Sequence, residues 1–196
     1  MKKVMLPILI LVFIASIVFA GPFGLSKGMS LSEVSKLSEK GYEPKSIAND
    51  DRYAFIPQKK HEFFKNYLAF IDEEKGLYRI NAISEEIRTT GYGTELKNTF
   101  YAMVERISKI YGKPKITDRI DSNYYLKKEE YWLTALKDGA RELYATWDKG
   151  EKYTNLPEEL ESVSIYASAE FSYGYIIIKY HFSNSSEIHN KQDDVL

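Results

Sequence analysis

"VSIYASAEFSYGYIIIKYHF", Val163 to Phe182, places two strands side by side and decides the kind of sheet they enter. Val163, Ile165, Ala167, Ala169 and Phe171 alternate with Ser164, Tyr166, Ser168 and Glu170. Neighbouring side chains of a strand point to opposite faces, so this spacing predicts one buried face and one wetted face. Parallel sheets are covered on both sides and read as unbroken apolar runs, so the alternation predicts an antiparallel sheet with an open face. Tyr173 to Phe182 reads as the following strand, and Arg141 to Trp147 as the preceding one.

Further toward the N-terminus the period changes. Leu96, Phe100, Met103, Val104, Ile107 and Tyr111 recur at three and four, which predicts a helix from Thr94 that Gly112 and Pro114 stop. A second helical stretch is expected from about Lys127 to Leu136, ended by Gly139. In the first half, Ser30-Leu31-Ser32-Glu33 has the form of a capping box, and Leu31, Val34 and Leu37 make the apolar stripe of the helix it opens. Tyr53 to Ile56, Phe64 to Ile71 and Leu77 to Ile87 then read as strands, the last two joined by a turn at Asp72 to Gly76. The order predicts an α+β fold: two tandem helix-plus-three-strand units, about 21–90 and 91–182, whose helices pack on one face of a shared antiparallel sheet. Residues 183–196 read as a flexible polar tail.

Met1 to Ala20 carries Lys2 and Lys3, then an apolar run, then Val18-Phe19-Ala20 ahead of Gly21-Pro22, the pattern of a secretory signal peptide cleaved near Ala20. A periplasmic or secreted protein is expected, and a membrane-anchored one if that segment is retained. Removing the two leader lysines from 27 basic residues, against 28 acidic ones, takes the formal charge from −1 to −3. Bases sit beside acids, as in Glu73-Glu74-Lys75 and Lys127-Lys128-Glu129-Glu130, so no nucleic-acid stripe is expected. There is no cysteine, so burial of apolar surface must hold the fold, and a bacterial envelope suits such a chain.

Gly28-Met29-Ser30, Glu33-Val34, a short helix and a Gly/Pro break together resemble the repeat unit of small exported bacterial proteins in the β-lactamase-inhibitor-protein-like group. The same unit is similar to the small lipoprotein subunit of the outer-membrane β-barrel assembly machine. The resemblance implies helices packed on an antiparallel sheet and a role in binding other proteins. The lipid-bearing cysteine of the lipoprotein and the paired cysteines of the inhibitor are both missing, so no binding residue is carried over.

Motifs for chemistry fail one by one. His61-Glu62-Phe63-Phe64-Lys65 has Lys65 where a zincin helix needs its second histidine. Ser30 stands at a helix start, where capping explains it, and Gly91-Tyr92-Gly93 has Leu96 in place of a third glycine. Carboxylates at Asp50-Asp51, Asp72-Glu73-Glu74, Glu85-Glu86, Glu158-Glu159 and Glu161 fall mostly in turns or beside Pro157, and a hydrolase would need two facing across a cleft. Neither cofactor nor metal is expected.

The 16 tyrosines are the remaining signal, since a tyrosine offers a flat apolar face and a hydroxyl. Tyr124, Tyr125, Tyr131 and Trp132, at a loop-to-helix junction, and Tyr166, on the polar side of its strand, are the candidate binding residues. The expected function is non-enzymatic binding of another envelope or secreted protein. An exported hydrolase with a carboxylate pair and an anchored structural component of the envelope are the alternatives.

Overall fold

The structure, a computed structural model, describes residues 21–47 and 50–188; the expected leader, Met1 to Ala20, and the last eight residues lie outside them. Helix α1 (Leu31–Lys36) starts at the expected capping box. Glu33 Oε2 accepts the Ser30 amide at 2.8 Å, and Ser30 Oγ accepts the Glu33 amide at 3.4 Å. Strands β1 (Lys45–Ser46), β2 (Arg52–Phe55), β3 (Phe64–Asp72), β4 (Gly76–Ser84) and β5 (Ile87–Arg88) follow. Helix α2 (Thr94–Tyr111) leads to β6 (Lys115–Ile120), a 3-10 turn (Glu129–Tyr131) and α3 (Trp132–Lys137), and the chain then runs through β7 (Arg141–Asp148), β8 (Leu160–Ala169) and β9 (Tyr173–Phe182).

Among the described residues all nine strands join one antiparallel sheet in the order β1-β2-β3-β4-β9-β8-β7-β6, with β5 pairing on β9. The expectation of two tandem helix-plus-three-strand units is therefore corrected. Five strands precede α2, a helix of 18 residues, whereas the helix before them has six. A third helix interrupts the second half, and the last strand, β9, lies in the middle of the sheet against β4. What remains of the expectation is coarser: helices on an antiparallel sheet.

The strands that the alternation does not announce are short or at an edge. β1 is exposed throughout, and β6, Lys115-Ile116-Thr117-Asp118-Arg119-Ile120, buries none of its residues fully. An edge strand needs hydrogen-bonding partners on one side only and no buried stripe, and charged residues there discourage further pairing. Glu85 and Glu86 break the expected run Leu77–Ile87 into β4 and β5. Phe171, expected on the buried side, sits past the end of β8 and is 86% exposed.

The core lies between the sheet and its helices. α2 buries Leu96, Phe100, Met103, Val104, Ile107 and Tyr111 and packs over β8 and β9, while α3 packs over β7 and β8. Val163, Ile165, Ile176, Ile178 and Phe182 meet them from the strands. A Cβ at Gly174 would stand 2.5 Å from Leu96 Cδ2, so a glycine on β9 lets α2 come close. Burial of one such Leu, Ile or Phe contributes about 1.5–3 kcal/mol.

Residues 183–188, expected as part of the polar tail, are held. Asn184 Nδ2 donates to the carbonyls of Lys75 and Leu77 at 3.1 and 3.2 Å, Ser185 Oγ donates to the Tyr78 carbonyl at 2.7 Å, and Ile188 is buried against Phe70 and Tyr78.

Candidate functional site

Among the described residues α2 and α3 leave the second face of the sheet uncovered, but at its β3–β4 end the helical turn of residues 185–188 packs on it, with Ile188 against Phe70 and Tyr78. Strand register brings its side chains into rows. One row crosses five strands through Leu68, Asn81, Lys179, Ser164 and Thr146. A second runs from Ile83 through Ile177 and Tyr166 to Tyr144. Phe70 and Arg79 pair beside the first row. Tyr173 and Tyr175 extend the β9 face toward the hairpin, their rings 5.6 Å apart. Arg79, Asn81, Tyr144, Ser164, Tyr166, Ile177 and Lys179 are all half-buried by their neighbours.

Two cations stand at the centre on aromatic rings. The Arg79 guanidinium carbon is 3.5 Å from the Phe70 ring centroid, and Lys179 Nζ is 4.6 Å from that of Tyr166. A cation over a ring face is attracted by its quadrupole, which partly offsets lost hydration. Burial nevertheless lowers the pKa of Arg79, and burial together with the nearby Arg79 charge lowers that of Lys179. Burial raises the Tyr166 hydroxyl above its ordinary value, against the pull of Arg79.

Among the described residues neither cation takes part in a salt bridge. Arg79 Nε and Asn81 Oδ1 are buried with no hydrogen-bond partner there. The nearest acids are engaged elsewhere: Asp51 accepts the Tyr78 hydroxyl, and Asp50 is tied to Arg52. The face thus offers desolvated positive charge, hydroxyls and aromatic surface; the Asp51 charge, though bonded to Tyr78, still acts on Arg79 and opposes the burial shift.

Of the residues singled out in the sequence, Tyr166 lies in this face. The other four lie at a separate corner and do not form a single patch. Tyr125 is 80% exposed and Tyr131 37% exposed, but Trp132 is 1% exposed and belongs to the core. Its indole lies against Gly93, the residue before α2, at a positive φ of 66°; a Cβ there would overlap the ring. Lys97 Nζ and the Arg141 guanidinium lie 5.1 and 5.4 Å from that ring. Tyr124 donates to Asp138 Oδ2 at 2.6 Å, a bond that pushes its pKa up to about 12, and its ring stands 5.1 Å from that of Tyr125. Phe171 joins the corner from the β8–β9 turn, with Lys137 Nζ 5.4 Å from its ring.

The motifs weighed for chemistry have local structural roles. His61 Nδ1 accepts the Phe63 amide at 3.2 Å in a turn, Asp72 Oδ1 accepts the amides of Glu74 and Lys75, and Glu85 pairs with Lys65 at 3.2 Å. Among the described residues no group of three His, Asp or Glu side chains is placed to hold a metal, and no helix is long and apolar enough to cross a membrane.

Arg79, Asn81, Tyr144 and Lys179 escaped the sequence reading. Lys179 was the available signal: a charge inside Tyr175-Ile176-Ile177-Ile178-Lys179-Tyr180, a strand apolar on both sides. Comparison of the chain with family models, with curated proteins and with solved structures finds no match.

Proposed function

We propose that this protein is an exported, non-enzymatic module that binds another macromolecule, an envelope or secreted protein, through the open face of its sheet. The observation that carries the reading is the row Ile83, Ile177, Tyr166 and Tyr144, where large side chains project from a part of the sheet face that, among the described residues, neither α2 nor α3 covers. Rigid aromatic side chains give much contact area for little lost rotamer freedom, and flat faces suit macromolecules better than small ligands. The leader pattern of Met1 to Ala20 supports export, with the mature chain starting near Gly21.

The test is reversible crosslinking in the source cells, followed by titration of the purified partner against wild-type and variant protein. Tyr144→Ala with Tyr166→Ala should weaken binding by about tenfold or more, as expected for central aromatic anchors, and leave the folding transition close to that of the wild type. Unchanged affinity in that variant rejects the face.

A second reading rests on the corner residues, because Tyr125 and Phe171 are the two most exposed large hydrophobic side chains described, at 80% and 86%. Tyr125→Ala with Phe171→Ala is the matching variant: loss of the partner there, with the sheet-face variant unaffected, moves the site to the corner.

A further inference from the structure

We infer that the centre of the open face is an anion subsite, built by Arg79 and Lys179, that receives carboxylates of an acidic segment in the partner protein. The inference rests on the reading of the face as a binding surface and names the chemistry it accepts. Asn81 and Lys179 are direct partners across β4 and β9, and Arg79 is two residues along β4, so the two positive groups flank one spot on the sheet. A buried or half-buried charge is costly unless it is paired. Here both charges are held in place over rings, Phe70 and Tyr166, with Arg79 Nε left without an acceptor among the described residues. Ser164 and Thr146 continue the same row and supply hydroxyl donors beyond Lys179.

The positions of the charges favour an extended polypeptide over other anions. The cations lie diagonally on the neighbouring strands β4 and β9, bordered by Tyr166, Tyr144 and Ile177 on one side and by Leu68 and Phe70, with Ile188 packed on Phe70, on the other. A segment lying across them would set acidic side chains on Arg79 and Lys179 and apolar ones on the tyrosines. Arg forms forked bonds to a carboxylate, and desolvation strengthens them.

The experiment uses fluorescein-labelled decaglutamate, with decaglutamine as the neutral probe, titrated with the full chain as exported. Arg79→Met with Lys179→Met keeps the apolar stems and removes both charges. The charge-matched control, Arg106→Gln with Lys109→Gln, removes two exposed cations of α2. The inference expects decaglutamate binding that falls about tenfold or more in the first variant and by less than about twofold in the control. It also expects the Met variant to unfold at the same temperature as the wild type or higher, because two half-buried charges that no salt bridge pairs among the described residues have left the surface. Equal loss in both variants, or no wild-type preference for decaglutamate over decaglutamine, overturns it.

If the Met variant proves poorly folded, Arg79→Lys serves in its place: a forked carboxylate contact should weaken while the charge is kept. Stronger binding to phosphatidylglycerol vesicles than to decaglutamate assigns the subsite to a lipid surface and overturns the inference. Binding that emerges only after residues 189–196 are deleted assigns it to the chain's own Asp193-Asp194 end, with the same consequence. The face and the subsite fail separately. If partner binding is lost in the Tyr144/Tyr166 variant and kept in the Arg79/Lys179 variant, the subsite falls and the face stands; if both variants keep the partner, the face itself is wrong.

Discussion

Ser30 and Glu33 show how much one short motif can specify. The Ser30 hydroxyl bonds Glu33 Oε2 at 2.8 Å, and that carboxylate also accepts the Ser30 amide, so the helix entry is fixed by residues three apart. These bonds, the backbone one first, hold the Glu33 pKa below its ordinary value. A carboxylate with a folded pKa below its unfolded one stabilises above the unfolded value, and that contribution is lost as pH falls through the folded one. Ser30→Ala should cost about 1 kcal/mol in urea denaturation near pH ~7 as a lost N-cap, and less at a pH low enough to protonate Glu33 in the folded state. An equal cost at both would place the contribution in the hydroxyl alone. The motif was legible because its partners are close in sequence. Trp132 was not, because its neighbours Gly93, Lys97 and Arg141 are distant in sequence, and an aromatic side chain looks the same in sequence whether it is buried or displayed.

At the scale of elements, legibility followed burial. α2 spans Thr94–Tyr111, as its three-and-four spacing requires, because every apolar residue of the stripe faces the sheet. β9 begins and ends at Tyr173 and Phe182, as read, and its even-numbered residues are buried. β6 has no such pattern and is found only through its partner, with Ile116 opposite Ala145 and Asp118 opposite Leu143. Arg141 Nε donates to Asp118 Oδ1 at 2.9 Å and helps to hold that edge. The element that ties helix to sheet is α2, through Phe100, which is fully buried. Phe100→Ala should destabilise the protein by about 3–5 kcal/mol, read as a lower denaturant midpoint. Removal of the exposed Ile110 side chain, at 65% exposure on the same helix, should change it by less than about 0.5 kcal/mol. Similar losses at both positions would mean that α2 is not seated on β8 and β9 by this stripe.

For the whole molecule, the position of β9 matters most, and the sequence does not contain it in any local pattern. Which strand lies beside which depends on long-range pairing, and β4 meets β9 about a hundred residues later, through Arg79 opposite His181 and Ile83 opposite Ile177. That pairing makes one sheet of what reads as two halves. It also assembles the face proposed here for binding, because Arg79 and Asn81 come from the first half and Lys179 and Tyr166 from the second. The core crosses the same junction: Tyr67 and Ile80 share one apolar cluster with Ile178, Phe100 and Trp147. Folding should therefore be a single cooperative event, with calorimetric and van't Hoff enthalpies equal. Phe55→Ala in β2 and Trp147→Ala in β7, both buried and at opposite ends of the sheet, should each lower that one transition by costing about 3–5 kcal/mol. If each variant instead lowered only one of two resolved transitions, β4 and β9 would join weakly stabilised halves. The face would then depend on a junction that opens independently, and partner binding should fall as the less stable half melts.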